Sequence, residues 1–148
     1  MAKFSSGLRS AMLSQGSLKS LIDGHVLRIY EGEVPISADS ALGNAVLLME
    51  LTVDGGGGGF TFAAGPGDVT LRQTVGERWE TLSVTASGAM SFFRLVRPND
   101  SGSNDSGSLR IQGSIGRSFG HDMAVSTLNT LVGQPWLLNS FYAEFPSD

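Results

Sequence analysis

The chain has 148 residues, a formal net charge of −4, twenty glycines and no cysteine. That length holds one ordinary domain, and the missing cysteine excludes disulfide scaffolds, thiolate zinc sites, iron–sulfur clusters and cysteine nucleophiles together. No apolar run approaches the ~20 residues that cross a bilayer, and the start lacks the apolar core and cleavage site of a secretory signal, so no membrane partner is expected.

Residues 1–24 read as two short helices. Ser5 or Ser6 suits a cap before a stripe of Phe4, Leu8 and Met12, and Gly16 is a left-handed stop. Ser17 then caps a second helix carrying Leu18, Leu21 and Ile22, ended by Gly24. Both are shorter than an isolated helix tolerates in water, so each must dock on a surface. Charge singles out the same region: Lys3, Arg9, Lys19 and Arg28 against Asp23 make residues 1–30 +3, leaving six arginines against thirteen acids, −7, for the rest. A basic arm on an acidic body suits contact with an acidic surface and argues against direct nucleic-acid binding.

From His25 the pattern changes to short strands between Gly-, Asn- and Asp-rich turns. Candidates are His25–Tyr30, Ala45–Val53, Phe60–Phe62, Val69–Leu71, Glu80–Ala86, Ala89–Val96, Leu109–Ile115, Met123–Leu128 and Trp136–Phe145. Ala45–Val53 is apolar enough for burial on both faces, whereas Leu109–Ile115 alternates. No crossover helices follow residue 24, so the expectation is an all-β, antiparallel β-sandwich, jelly-roll-like or Greek key, over 25–148, with a helical N-terminal arm over 1–24.

The residues that invite a chemical reading are few. Gly55–Gly59 precedes a strand-like Phe60-Thr61-Phe62 and no Lys occurs after Lys19, so it does not fit a phosphate-cradling loop. The twice-repeated NDSG of Asn99–Gly107 offers oxygen ligands but not calcium-loop spacing. His121 and Asp122 are sequence neighbours, which in a strand would point to opposite faces and form no relay; two histidines, His25 and His121, cannot build a His₃ zinc site. No catalytic residue, cofactor or metal is therefore nominated. Trp79 and Trp136 suit a sugar-stacking platform, which keeps a carbohydrate-binding module as an alternative.

The opening MAKFSSGLRSAML and the following GSLKSLIDGHVLRIYEGEVPISADSALGNAVLL, with FFRLV and RIQGSIG later, resemble a group of small virion structural proteins of tailed bacteriophages. The resemblance is firmest over the first fifty residues. It implies a non-enzymatic capsid decoration or cement protein, a dimer or trimer bound to the major capsid protein on the outer surface of the virion. A tail or head–tail junction component is the alternative within the same class. The arm would then clasp a neighbour in preference to capping its own sandwich, with Lys3, Phe4, Leu8, Arg9, Met12, Leu13 and Lys19 as the partner-binding residues.

Overall fold

The computed structural model describes residues 2–64, 70–118, 120–139 and 142–144. Among the expected strand residues, Val69, Ser140, Phe141 and Phe145 lie outside these. The chain opens with a two-residue strand, β1 (Lys3–Phe4), and Ser5 then caps α1 (Ser6–Ser14), its hydroxyl accepting from the Leu8 N–H. The expected left-handed stop at Gly16 is absent: Gly16 does not have a positive φ, and the Gln15 and Gly16 N–H groups both fold back onto the Ala11 carbonyl. Ser17 caps α2 (Leu18–Ile22) as expected, and Gly24, at φ 91°, turns the chain into the sheet.

The strands that follow are β2 (Val26–Glu31), β3 (Val46–Val53), β4 (Phe62–Ala63), β5 (Thr70–Gln73), β6 (Trp79–Thr81), β7 (Gly88–Ala89) and β8 (Phe92–Val96). After them come β9 (Ile111–Gly116), β10 (Met123–Ala124), β11 (Asn129–Thr130), β12 (Trp136–Leu138) and β13 (Tyr142–Glu144). The fold is all-β and antiparallel, and among the described residues β10 alone pairs in parallel, on β9. An eight-stranded sheet of order β1-β9-β8-β2-β3-β6-β12, with β10 alongside β9, dominates. Smaller sheets pair β11 with β7 and order β13-β5-β4. Several expected strands are broken: Met123–Leu128 keeps only Met123–Ala124, and Trp136–Phe145 divides into β12 and β13 of different sheets. Glu80–Ala86 ends at Thr81, and Met90 leaves the Ala89–Val96 run because its N–H turns to the Leu128 carbonyl.

Register gives the large sheet two unlike faces. Ile111, Leu95, Leu27 and Leu51 line up across β9, β8, β2 and β3. One residue along, and so on the opposite face, stand Lys3, Gln112, Arg94, Arg28 and Glu50. The apolar row belongs to the main core, and Leu8, Leu18 and Ile22 of the two helices join the same cluster. Burying a side chain of this size contributes about 1.5–3 kcal/mol, which two helices too short to stand alone obtain from the sheet. The N-terminal segment is therefore built into the core of its own chain. The partner-binding role expected for Leu8 is corrected accordingly, since Leu8 is fully buried there.

Trp79 is also corrected. It is fully buried, stacked on Phe60 with ring centroids 3.7 Å apart and met edge-on by Phe62 at 5.3 Å, so it offers no face to a sugar. Trp136 is half-buried and packs against the same core.

Candidate functional site

The polar face of the sheet is covered by the connection between β2 and β3, fourteen residues from Gly32 to Ala45. A hairpin loop of that length with no internal strand or helix needs outside support, and the polar row supplies it. Gln112 Nε2 donates to the Pro35 carbonyl at 2.8 Å, Lys3 Nζ to Ile36 at 2.9 Å, and Arg94 Nη2 to Ser37 at 3.3 Å and Ser40 at 2.7 Å. Arg110 Nη1 donates to Ala38 at 3.1 Å and, more weakly, to Asp39 at 3.5 Å. Every main-chain carbonyl from Pro35 to Ser40 thus accepts from a side chain of β1, β8 or β9, or from Arg110 just before β9. The Asp39 carboxylate takes the Ser6 N–H at 2.8 Å and the Ser6 hydroxyl at 2.5 Å, fixing the loop to the N-terminus of α1, where negative charge is favoured.

A second loop is held by the same face. Arg28 reaches the Asp100 and Pro98 carbonyls at 2.7 and 2.8 Å while its Nε meets Glu50 at 2.8 Å. Arg110 grips the Asp100 carboxylate and also the Ser103 carbonyl. The NDSG repeat becomes one turn made twice: Asp100 Oδ1 accepts from the Gly102 N–H at 2.7 Å and Asp105 Oδ1 from the Gly107 N–H at 2.8 Å. These carboxylates are engaged by the turns and by Arg110.

Electrostatics follow from this packing. Burial pushes the Asp100 carboxyl up, but the Arg110 hydrogen bonds and the Gly102 N–H outweigh it and hold the group below the usual carboxylate range. Ser108 and Gly107 lower Asp105 in the same way. Burial, helped by the neighbouring Arg110 charge, brings Arg94 down to about 10, still cationic at neutral pH.

Held by its carbonyls, the loop buries Ala38 but leaves Val34 and Ile36 outside. Ile36 is 87% exposed and Val34 is exposed beside it, both lining a groove closed on the other side by Leu42 and Ala45. Neither was nominated from sequence, although the length of the β2–β3 connection was a usable signal. Of the nominated residues, Leu13 is 90% exposed on the outer side of α1 with Arg9, whose Nη2 reaches the Ser6 hydroxyl at 3.3 Å. Lys19 pairs with Asp23 at 2.5 Å. Phe4 and Met12 pack part-buried against the core. The structure therefore brings Lys3 beside Ile36 and turns Arg9 and Leu13 outward, while Phe4, Leu8 and Met12 face inward.

The remaining sequence features are structural. The Gly55, Gly56 and Gly57 N–H groups bond Thr52 and Val53 of β3, so these three amides of the polyglycine run close a turn. His121 and Asp122 lie in the bend before β10, and Asp122 Oδ2 accepts from the Ser114 N–H at 2.9 Å. No family model, curated protein or solved structure matches the chain.

Proposed function

We propose that this chain is a non-enzymatic virion structural protein that decorates or cements the capsid shell of a tailed bacteriophage by binding its major capsid protein from the outer surface. The resemblance over the first fifty residues supports the reading. The observation that carries it lies inside that segment: Ile36 stands 87% exposed on a loop whose carbonyls are tied down on either side. An apolar side chain held in place before binding costs little ordering on docking, and a rigid apolar anchor within a polar rim is the form interface hot spots take. Lys3 beside Ile36, and Arg9 with Leu13 on α1, add cations and apolar area suited to an acidic shell.

Quantitative mass spectrometry of virions carrying the gene tests the proposal. Hundreds of copies per particle are expected of a shell-covering protein. Six or twelve copies would move the assignment to a tail or junction ring, and absence from the particle would overturn both.

A further inference from the structure

Two Asp-Gly pairs occur in the sequence, Asp23–Gly24 and Asp54–Gly55, and no Asn-Gly pair does. In such a pair the glycine nitrogen can attack the aspartate side chain, because the residue that follows carries no side chain to hinder the approach. The fold places the two pairs in opposite situations.

Asp23 is half-buried and held at both carboxylate oxygens. Oδ2 accepts from Lys19 Nζ at 2.5 Å, and Oδ1 accepts from the Phe62 N–H at 3.0 Å. The Gly24 N–H, which would have to attack, is committed to the Phe60 carbonyl at 2.7 Å. Asp54, by contrast, is exposed at the end of β3, and its carboxylate makes no hydrogen bond or ion pair with any described residue. The Gly55 N–H reaches the Thr52 carbonyl only at 3.3 Å, whereas the Gly56 and Gly57 bonds of the same turn are 3.0 Å. Among the described residues Asp54 is also the one non-glycine with a positive φ, 54°, a conformation that an L-residue adopts at a cost. Gly56–Gly59 follow, so no bulky side chain holds the turn against local rotation.

We propose that Asp54–Gly55 is a site of isoaspartate formation in the folded chain, and that the fold shields Asp23–Gly24 from the same reaction. The Gly55 nitrogen bonds to Asp54 Cγ. One carboxylate oxygen leaves as water, taking the Gly55 amide proton and one proton from solvent, and a cyclic succinimide remains. Water then adds to either ring carbonyl. Cleavage between the nitrogen and Cγ restores aspartate, whereas cleavage between the nitrogen and the Asp54 main-chain carbonyl carbon gives isoaspartate. The chain now runs through Cβ and Cγ, and the former main-chain carbonyl is a free carboxylate. Mass and charge equal those of the starting protein, and water is the only co-reactant. The extra main-chain carbon also releases the left-handed constraint at this corner. The inference concerns the chain's own chemistry and does not depend on the capsid reading.

Peptide mapping of the full chain after prolonged incubation in warm neutral buffer tests it. Trypsin separates the two sites, since Asp23 falls in the peptide ending at Arg28 and Asp54 in the peptide from Ile29 to Arg72. Isoaspartate appears as a second peptide of unchanged mass and altered retention that accepts a labelled methyl group from a protein isoaspartyl methyltransferase, and fragmentation places it at Asp54. Conversion at Asp54 is expected to run at least about tenfold faster than at Asp23, where hydrogen bonds to a charged group must break first. In urea, with the fold removed, the two rates are expected to converge to within about twofold. Equal rates in the folded chain, or no isoaspartate at Asp54, overturn the inference. A tenfold difference that persists in urea overturns it as well, because the neighbouring sequence and not the fold is then its source.

Discussion

Arg110 and Asp100 form a two-point ion pair, Nε to Oδ2 at 2.7 Å and Nη2 to Oδ1 at 3.0 Å, with both side chains almost wholly withdrawn from solvent. The pair joins the start of β9 to the loop after β8, and Arg110 extends from it to the carbonyls of the β2–β3 connection. One side chain therefore holds two loops over the polar face of the sheet.

Asp100→Asn leaves the Arg110 guanidinium buried without a countercharge, and the expected loss is about 3–5 kcal/mol. Urea denaturation at pH 7 measures it. The same pair sets an acid limit. Asp100 titrates lower in the folded chain than its ordinary value of 3.8, so its contribution is complete above that value and disappears as pH falls through the folded one. In the Asn variant this part of the acid unfolding profile is expected to be missing.

His25 acts at milder pH. It is buried, with Nε2 3.0 Å from the Leu109 carbonyl. Burial lowers it below its ordinary 6.5 despite that carbonyl, and Arg97 lowers it further, against smaller opposing contributions from Asp100 and Asp23. The unfolded chain therefore takes up a proton below pH 6.5 that the folded chain resists, and stability present above 6.5 declines as pH falls toward the folded value, by at most about 1.4 kcal/mol per pH unit. Denaturant melts at pH 7 and pH 5 are expected to show this decline in the wild type and not in His25→Gln.

The polyglycine turn offers a paired comparison. A methyl group on Gly59 meets the backbone of Gly24, whereas one on Gly56 meets only the Val53 carbonyl at 3.6 Å. Gly59→Ala is expected to cost about 1–3 kcal/mol and Gly56→Ala no more than about 0.5 kcal/mol. Thermal melts of the two variants separate them, and equal effects would count against the close approach of α2's end to this turn.

Ile36→Asp separates binding from folding. Its side chain is exposed and its loop is held through main-chain carbonyls, so the melting temperature is expected to stay within a degree or two of wild type. Incorporation into particles is expected to fall at least about tenfold, as loss of an interface anchor does; quantitative mass spectrometry of the resulting virions reads it.

Local chemistry made the helices legible: Ser5 and Ser17 cap as their positions suggest, and β2 and β3 fall close to the expected His25–Tyr30 and Ala45–Val53 runs. The candidate surface was much less so. Alternation in Leu109–Ile115 reads as one wet face, yet Arg110 and Gln112 are buried, because a connection some seventy residues earlier folds over them. Nothing local records such a contact; it emerges only when pairing places Gln112, Arg94 and Arg28 in one row. Trp79 was misread for the same reason, since its partners Phe60 and Phe62 arrive from another strand region.

The sheet grips the β2–β3 connection by its peptide groups, and peptide groups are common to all residues. Val34 and Ile36 can thus be exchanged for other side chains while the path of the chain beneath them persists. Shape and surface identity are encoded at separate positions, the first in Lys3, Arg94, Arg110 and Gln112, the second in the loop itself. A single substitution in the loop can therefore change the surface this side of the sheet presents without the need for a compensating change elsewhere.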